Sequence, residues 1–590
     1  MPGFGPDRLE LGAGGLLAIS GPFIFYNTEL LPTGLFIFLL VAGVLIALEA
    51  LETRAAAKWA VAGGVLGLSG LAVPSGLLLV GLLAAYGIRH VGVAEKRWKH
   101  ALGLSGAATL AAAAVIAPVT WMNYSRSGDV VLISFNGGYN LFLGNNANAD
   151  ATTAARPGHE SAVLLEMPKA EGVFIGSDYD RWFRRRVVEY AAADPVGFLS
   201  NNFKKTVLFL NSRELPRNED PYLMREYSKV LAATMWRAGP FGFPFGIVAP
   251  FALVGLVSIF ASGDRRKRFF AWSVVLGALS IIAFFISSRH RLPAYALLCP
   301  LAVVGGESAL RKLRGGHLLS PSVIGVVALL VLCNVPLRAP TDGVNFRAEL
   351  ELQVGAAAFE AGDLGLAEQH IRRSIELEPE SAEAWTWLGD VLSAAGRAEQ
   401  AKDAFERALR ADGTFAPALV RLGILNEQEL IGSGEALLRA ALEVRPAYGL
   451  AHFALGDSLA RQRRKGWEDT FRKGWTIVTE GTVEPPDPAE FLLRRGHLEL
   501  AVEYGKRRLE QTDTAEHRAR LAVALAELGV REQNALMLEE ASRHARTAVE
   551  AEPNSSLCAF GFGARTDEPG RPVRRTRATC EGCRAGTGRR

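Results

Sequence analysis

Cysteine is scarce in this chain, with five among 590 residues. Five thiols are too few for a disulfide-built scaffold. Cys299 and Cys333 lie in apolar runs, where a free cysteine acts as a small hydrophobe. Cys580 and Cys583 form one C-x-x-C in a basic tail, without the second pair that a structural zinc site requires. The sequence therefore predicts no metal site, although it leaves open whether a divalent ion takes part in any reaction.

Net charge and mid-span ionisable residues are also lacking. A formal charge of +4 indicates no particular partner, and we expect no nucleic-acid binding. The long apolar stretches contain glycine but no buried ionisable residues, whereas a transporter needs charged or broken helices at mid-membrane. The first apolar stretch lacks the basic start and the cleavage site of a signal peptide. These absences disfavour a nucleic-acid binder, a transporter and a secreted protein.

What the chain does contain is a sharp change in hydrophobicity along its length. Residues 9–337 have the composition of a membrane domain, and residues 347–553 have that of a water-soluble domain. The averages over the whole chain, 49% hydrophobic residues and a mean hydropathy of +0.15, conceal this difference. A membrane span needs about 20 mostly apolar residues. Nine segments qualify: 9–26, 30–48, 57–73, 74–89, 101–121, 242–262, 269–287, 292–310 and 319–337.

The basic loops give an orientation. Lysine and arginine cluster in residues 54–58, 89–100, 264–268 and 311–317, and cytoplasmic loops are the ones enriched in these residues. Nine spans place all four clusters on one side. We therefore expect a multi-pass protein of the bacterial inner membrane whose residues 122–240 and repeats lie on the outer, periplasmic face. An alternative with eight spans, in which residues 57–89 form one re-entrant element, would move the repeats relative to the early loops.

The long outer loop contains candidate binding residues. Residues 130–135 are typical of a short strand and run into a segment rich in Asn and Gly, which favours turns. Asn136, Asn140 and Asn145 offer amides to a hydroxyl-rich ligand, although a plain surface turn explains the same composition. Residues 177–211 are expected to be helical, with a break near Asp194, and to lie as an amphipathic helix on the membrane face.

A cationic corner follows at Arg289 and Arg291, between two spans on the predicted outer face. Arginine binds phosphate oxygens through paired N–H donors, so this corner is suited to a lipid phosphate. Charged residues at a span end also simply extend to the interface, which is the competing explanation.

These pieces together resemble a known family. The resemblance covers about residues 10–337 and points to bacterial family 39 glycosyltransferases, integral membrane enzymes of the GT-C class related to protein O-mannosyltransferases and aminoarabinose transferases. It is carried by Phe23-Ile24-Phe25-Tyr26-Asn27-Thr28-Glu29-Leu30-Leu31, Asn123-Tyr124-Ser125-Arg126-Ser127-Gly128, Val131–Ser134, Asn136-Gly137-Gly138-Tyr139-Asn140, Gly144-Asn145-Asn146-Ala147, Leu210-Asn211-Ser212-Arg213-Glu214-Leu215-Pro216-Arg217-Asn218-Glu219-Asp220 and Ser288-Arg289-His290-Arg291-Leu292-Pro293.

The resemblance implies a reaction. A sugar carried on a polyprenyl phosphate would be transferred on the outer face to a hydroxyl of a protein, lipid or glycan. A carboxylate would deprotonate the acceptor, and cations would stabilise the leaving phosphate. Arg289 and Arg291 would hold that phosphate. The candidate pocket residues are Glu29, Asn136, Asn140, Asn145 and Glu214.

The chain also departs from this family. Family members usually begin with a further span and an outer loop that carries the catalytic acid, and this chain starts too late for either. Asp7 and Glu10 precede the first span on the predicted cytoplasmic side and are poor candidates for the base. The catalytic residue is therefore not identified, and either the start is mis-assigned or the copy is truncated.

The second half contains internal repeats. Leu388-Gly389, Ala401, Phe405 and Ala408 match the tetratricopeptide pattern, and a shift of about 34 residues reaches Gly355 on one side and Leu422-Gly423 on the other. Small residues at these positions let paired helices pack closely. The pattern weakens after residue 461 and resumes at 489–551. Such solenoids present a surface to proteins or peptides, so we expect a docking module for a protein partner. A stabilising appendage without a partner is the alternative.

The expected fold class is mainly α. A polytopic helical membrane domain of about nine spans, with a mixed outer-face loop region, precedes an α-solenoid of tetratricopeptide-like repeats. The expected divisions are a first membrane block (1–121), an outer loop domain (122–240), a second membrane block (241–337), regular repeats (347–461), degenerate helical repeats (462–553) and a disordered basic tail (554–590). Two functions stay open: a lipid-linked-sugar glycosyltransferase with partner-docking repeats, and a non-catalytic membrane scaffold derived from a truncated transferase.

Overall fold

The computed structural model describes residues 6–29, 31–149, 151–152, 159–174, 176–217, 219–480 and 487–552. It is mainly helical and divides into two compact units, residues 1–413 and 414–590. The predicted disordered tail and the Cys580–Cys583 motif lie outside the described residues, while Cys299 and Cys333 are buried free thiols.

Helices dominate both units. The helices described in the first unit are α1 (Pro6–Ala18), α2 (Gly21–Thr28), α3 (Thr33–Thr53), α4 (Ala56–Ala72), α5 (Leu77–Gly87), α6 (Trp98–Ser127), α7 (Gly137–Leu143), α8 (His159–Ala170), α9 (Ser177–Ala193), α10 (Pro195–Leu210), α11 (Pro221–Met224), α12 (Lys229–Thr234), α13 (Phe245–Ala261), α14 (Arg265–Ile282), α15 (Ser288–Arg314), α16 (Pro321–Cys333), α17 (Phe346–Glu360), α18 (Leu364–Leu377), α19 (Ala382–Ala394) and α20 (Ala398–Ala411). Those of the second unit are α21 (Ala416–Glu429), α22 (Glu435–Val444), α23 (Gly449–Arg461), α24 (Trp467–Val478), α25 (Pro488–Arg494), α26 (Leu498–Gln511), α27 (Ala515–Glu532) and α28 (Ala535–Ala551).

A single two-stranded hairpin accompanies the helices in the described ranges. Strands β1 (Trp236–Ala238) and β2 (Phe241–Phe243) pair antiparallel, with Trp236 opposite Phe243. The sequence did not predict this hairpin and instead predicted a strand at residues 130–135. That expectation is wrong: residues 130–135 are irregular and run beside α6. The side chain of Asn123 donates to the carbonyls of Val131 and Ile133, so this backbone is satisfied without a neighbouring strand.

Four helical stretches are long and apolar enough to cross a membrane: Thr33–Thr53, Pro74–Val93, Trp98–Ser127 and Ser288–Arg314. Three apolar helices are shorter: Ala56–Ala72, Phe245–Ala261 and Pro321–Cys333. The count of nine spans therefore stays a prediction. The first predicted span, residues 9–26, is not one continuous helix. The helical structure is interrupted at Ser20 between α1 and α2, where the Ser20 hydroxyl accepts a hydrogen bond from the Phe23 N–H.

Small residues bring these apolar helices together. An added Cβ at Gly63 of α4 would lie 2.0 Å from the Ala108 carbonyl oxygen of α6, and one at Gly255 of α13 would lie 2.0 Å from the Leu301 carbonyl oxygen of α15. Gly305 of α15 faces the Phe251 carbonyl at the same distance. Close backbone approach at small residues is the usual packing between helices in lipid. These glycines therefore permit the close approach of α4 to α6 and of α13 to α15.

The outer region forms the two helices expected within residues 177–211. Helix α9 ends at Ala193, and the Asp194 carboxylate caps α10 by accepting from the Gly197 N–H. Phe183 of α9 is fully buried among aromatic side chains, whereas Leu199 and Phe203 of α10 are exposed. The amphipathic character is thus present, and placement on a lipid surface stays a prediction.

The repeats form antiparallel helix pairs. In the first unit α17 pairs with α18 and α19 with α20, and in the second unit α21 pairs with α22 and α23 with α24. Gly389 lies against the Phe405 ring at 2.3 Å from an added Cβ, and Gly456 lies against Phe471 in the same way at 3.0 Å. The repeat glycines therefore make room for a large partner side chain. Pairing continues through α24 although the sequence pattern weakens there.

Candidate functional site

The candidate site lies where α15 begins, next to a stretch that we call the outer segment, residues 211–217 and 219–226. The Leu215 N–H donates to the Ser288 hydroxyl at 2.6 Å, and the Ser288 N–H donates to the Leu215 carbonyl at 2.9 Å. The Ser287 hydroxyl caps the helix by accepting from the His290 N–H. These bonds fix the outer segment against the first turn of α15 and so bring their charged side chains together.

Arg291 lies inside the protein rather than at its surface. Arg291 is 1% exposed, and its side chain forms an ion pair with Glu214 at 3.1 Å. It also donates to the Asn211 carbonyl at 2.7 Å and the Arg213 carbonyl at 2.6 Å, and its guanidinium lies 4.4 Å from the Phe245 ring centre. The terminal nitrogens of Arg291 are engaged within the protein and hold the outer segment on α15, whereas its Nε has no hydrogen-bond partner. A role for Arg291 in binding the donor phosphate stays a prediction.

Glu214 is the carboxylate that pairs with Arg291. It is 4% exposed, and its carboxylate is the buried counter-ion of Arg291. Its backbone N–H donates to the Tyr222 hydroxyl at 3.4 Å. A carboxylate in this position neutralises a buried cation. A role for Glu214 in the pocket stays a prediction.

Arg289 points to the other side of α15 and is partly exposed. Arg217 of the outer segment lies near Arg289, and burial together with this neighbouring guanidinium holds the pKa of Arg217 below its usual value. The Arg217 guanidinium lies 4.8 Å from the Phe285 ring centre, and its Nε has no hydrogen-bond partner. Among the described residues neither arginine forms an ion pair with a carboxylate at contact distance. The result is a cationic pair that lacks a contact counter-ion.

Two carboxylates lie beside this cationic pair. Glu29 follows the last residue of α2, and its side chain lies near that of Glu219 in the outer segment. Burial and the neighbouring Glu219 raise the pKa of Glu29 to about 7, against an opposing effect of Arg289. Both glutamates are partly exposed. The sequence predicts Glu29 as a pocket residue, and a role for it stays a prediction. Arg217 and Glu219 belong to the segment 210–220 that carries the family resemblance, but the sequence alone did not indicate a role for either.

The asparagines of the turn differ in exposure: one is buried and hydrogen-bonded within the protein, and two are accessible to solvent. Asn145 is 1% exposed, donates to the carbonyls of Leu141 and Ala283, and accepts from the Lys205 ammonium at 2.7 Å. It therefore joins α10 to the end of α14 rather than facing a ligand. Asn136 is exposed and Asn140 is partly exposed. A role for these two in ligand binding stays a prediction.

Lys205 is an unusual feature of this region. Its side chain is fully buried and donates a hydrogen bond to Asn145 rather than to a carboxylate. Burial lowers the pKa of Lys205 to about 7. Because an unpaired buried ammonium is costly, this group is stabilised by losing its proton.

A cavity of about 550 Å³ separates the outer segment from the start of the repeats. Its walls include Asp220, Tyr222 and Phe346. Two ion pairs cross beside it, Arg213 with Asp342 and Arg347 with Glu226. The first repeat helix is therefore attached to the same segment that carries Glu219. In the described ranges no cluster of three metal-ligating side chains occurs.

Comparison with known proteins identifies the repeats. A family model described as tetratricopeptide repeat matches residues 358–422, and the chain contains a tetratricopeptide repeat domain. No curated protein matches the chain.

Similar solved structures include PilW, a type IV pilus biogenesis factor, at 17% identity over 37% of this chain and 99% of that one, with TM-score 0.26. PilF of Pseudomonas aeruginosa is 17% identical over 37% of this chain and 95% of that one, with TM-score 0.24. YrrB, a tetratricopeptide protein with a peptide-binding site, is 19% identical over 38% of this chain and 95% of that one, with TM-score 0.20.

Proposed function

We propose that this protein is a membrane glycosyltransferase that moves a sugar from a polyprenyl-phosphate donor to a hydroxyl acceptor on the outer face, and that its repeats dock a protein partner. The observation that carries the proposal is the cationic pair Arg217 and Arg289 beside the carboxylates of Glu29 and Glu219. Cations suit the phosphate of a lipid-linked donor, and a carboxylate suits an acceptor proton.

The surroundings of the cationic pair support a lipid-linked anion. Arg289 belongs to the first turn of α15, which is long and apolar enough to cross a membrane. The N-terminus of such a helix carries partial positive charge and favours anions. A phosphate held there would leave its apolar tail to lie along the bundle. A free polar phosphate ester would gain nothing from that neighbourhood.

The repeats supply the docking part of the proposal. Tetratricopeptide solenoids present extended surfaces to proteins and peptides. The pairing of Arg347 with Glu226 and of Arg213 with Asp342 attaches the first repeat to the outer segment. A partner bound to the first repeats would therefore lie close to the transfer site. We accordingly propose that the acceptor, or the protein that delivers it, is the partner.

The proposal is tested by phosphate binding to the full chain in lipid nanodiscs. The probe is the methyl ester of a polyprenyl phosphate, which keeps a single negative charge because it has no second ionisation near pH 6. Phosphorus NMR should show a shifted, broadened line with the native chain, and Arg289→Gln and Arg217→Gln should each weaken binding about 10-fold or more, since a hydrogen bond to a charged group contributes about 1.5–3 kcal/mol.

The matched control is Arg268→Gln, an exposed arginine in the predicted cytoplasmic loop, which should leave binding unchanged. Equal binding by the native chain and Arg289→Gln would contradict the phosphate site. Absence of binding by the native chain would favour the second function, a membrane-anchored repeat scaffold that performs no transfer.

A further inference from the structure

The cavity between the outer segment and the first repeat has no part in the transfer chemistry proposed above. Its volume of about 550 Å³ lies within the usual size range of ligand pockets, about 300–1,000 Å³. One wall belongs to the outer segment, through Asp220, Tyr222 and Leu223, and the other to the start of the repeats, through Val344 and Phe346. A ligand in this cavity would therefore contact both parts at once.

The charged groups of the cavity walls leave one carboxylate without a partner. The lining contains three carboxylates, of Asp220, Glu226 and Asp342, and one guanidinium, of Arg347. Glu226 is paired with Arg347, and Asp342 is paired with Arg213. In the described part of the chain Asp220 has no ion pair at contact distance, and Arg213 acts on it only from farther away. The cavity thus offers an unpaired carboxylate to a cationic group.

Hydrogen bonding around the cavity is also incomplete. The Asp220 carboxylate accepts from the Tyr222 N–H at 2.9 Å, which leaves acceptor capacity because an ionised carboxylate has about four lone-pair sites. The Thr341 hydroxyl and the Arg225 Nε, each adjoining a wall residue in the chain, are buried without a hydrogen-bond partner among the described residues. Buried polar groups of native proteins are nearly always paired. The surroundings of the cavity therefore have polar capacity that the protein itself does not use.

The apolar part of the walls favours a polypeptide over an inorganic cation. Leu223, Val344 and Phe346 supply apolar surface to the cavity, and Tyr227, next to the wall residue Glu226, is 69% exposed. A lysine or arginine side chain matches such a surface, because it carries an apolar stem below its charge. The adjoining α17 is the first helix of the repeats, and tetratricopeptide arrays bind proteins and peptides.

We propose that this cavity is the docking site for an extended segment of the partner polypeptide, and that Asp220 receives a lysine or arginine side chain of that segment. The inference rests on the proposed docking function of the repeats and names the chemistry of the partner. The cation pairs with the Asp220 carboxylate while its stem packs on Leu223 and Phe346. An acidic segment is disfavoured, because its carboxylate would face Asp220.

The position of the cavity makes the basic residue a determinant of acceptor choice. The Tyr222 hydroxyl in its wall accepts from the Glu214 N–H at 3.4 Å, and Glu214 is paired with Arg291 of α15. The first turn of the same helix carries Arg289, which is proposed to hold the donor phosphate. An extended chain spans about 3.3–3.6 Å per residue. Only hydroxyls within a few residues of the docked side chain would therefore lie near that turn.

The test is peptide binding to the full chain in lipid nanodiscs, measured by fluorescence anisotropy. The probes are three fluorescein-labelled peptides of glycine and serine that differ only at one central position, which is arginine, glutamine or glutamate. With the native chain the arginine peptide should bind about 5-fold more tightly than the glutamine peptide, the upper end for a partly exposed ion pair. The glutamate peptide should bind most weakly.

Asp220→Asn is the decisive variant, because asparagine retains the cap on the backbone and removes only the charge. It should bind the arginine and glutamine peptides equally. Glu360→Gln is the matched control, since Glu360 is exposed on α17 and is not a wall residue, and this variant should keep the arginine preference. A preference that survives in Asp220→Asn, or that is absent from the native chain, would overturn the inference.

A photo-crosslinker locates the site independently of affinity. The arginine peptide carrying a benzophenone group should attach to the native chain within residues 220–226 or 342–347. Attachment within the later repeats, residues 416–461, would overturn the cavity as the docking site. Displacement of the arginine peptide by chitotriose, an uncharged trisaccharide, would overturn the polypeptide as its occupant.

The docking site and the transferase can fail separately. Phosphorus NMR with methyl polyprenyl phosphate tests the transferase, and the arginine preference tests the cavity. Phosphate binding by a native chain without an arginine preference overturns the docking site alone. An arginine preference without phosphate binding overturns the transferase and supports the cavity as the partner site of a repeat scaffold.

Discussion

The buried ion pair of Arg291 and Glu214 gives the sharpest quantitative prediction. Arg291→Met removes the guanidinium of a residue that is 1% exposed and leaves the Glu214 carboxylate buried without its counter-ion. It also frees the carbonyls that accept at 2.7 Å and 2.6 Å. Removing one member of a buried pair costs about 3–5 kcal/mol. We expect the free energy of unfolding to fall by that amount.

The assay is thermal unfolding of the purified full chain in detergent, followed by loss of circular dichroism. At about 2–4 °C for each kcal/mol in domains of about 150–250 residues, the apparent Tm should fall by on the order of 10 °C. Arg289→Met is the matched control. Arg289 is partly exposed and has no contact carboxylate among the described residues, so its Tm should change by less than about 2 °C.

A double-mutant cycle separates the pair from its surroundings. Glu214→Gln alone leaves a buried cation, and the combined Glu214→Gln and Arg291→Met chain leaves neither charge. The loss in the double variant should be smaller than the sum of the single losses by about 1–3 kcal/mol. If Arg291→Met were as stable as the native chain, Arg291 would not anchor the outer segment.

Three further predictions concern other parts of the chain. Because the pKa of Lys205 is lowered to about 7, the unfolded state binds more protons above that pH, so native stability should rise by up to about 1.4 kcal/mol per pH unit from about pH 7.5 to pH 9.5. When Tm is measured against pH, Lys205→Met should lack this rise. Parallel Tm curves for the native chain and Lys205→Met would contradict the lowered pKa of Lys205. Gly389→Val should lower Tm, because an added Cβ would lie 2.3 Å from a carbon of the Phe405 ring. Gly365→Ala should not lower Tm, because the nearest atom to its added Cβ is 3.7 Å away. Equal Tm values for the two variants would contradict the packing described for Gly389. In intact cells an impermeant maleimide should label Gln353→Cys and spare Lys267→Cys, in a chain without its reactive tail cysteines; the reverse pattern would overturn the topology.

The repeat helices were predictable because their signal is local. Gly355 and Gly389 recur at the interval of one helix pair, and each has room only for the side chain that faces it, Ile371 or Phe405. Any sequence that keeps these small and large residues in phase packs in the same way. The strand expected at residues 130–135 failed for the opposite reason. Its backbone is satisfied by the side chain of Asn123 on a neighbouring helix, a contact that no periodicity reveals.

The two arginines show what the sequence could not decide. The predicted span began at residue 292, which left Arg289 and Arg291 together in a loop. The helix begins at Ser288 instead. Successive residues of a helix turn by about 100°, so positions two apart face nearly opposite directions. One arginine therefore turns inward and the other outward, and only the position of the helix start determines which.

The proximity of Glu29 to Glu219 was not predictable either. The two residues are 190 positions apart in the chain, and neither has an unusual local sequence. Their meeting depends on Leu215 being bonded to Ser288 and on α2 packing against α15. Tertiary attachment of two segments to one helix end thus brings the two carboxylates near each other.

The ion pairs between the outer segment and the first repeat have a kinetic consequence. Arg213 with Asp342 and Arg347 with Glu226 hold α17 against the segment that carries Glu219, so the first repeats are not on a long flexible tether. A bound partner is then confined to a small volume near the carboxylates. Its effective concentration there can reach the millimolar range typical of short connections. In the proposed transfer reaction, weak acceptors would be used efficiently, and lengthening the link between residues 337 and 345 would lower transfer without altering the chemistry.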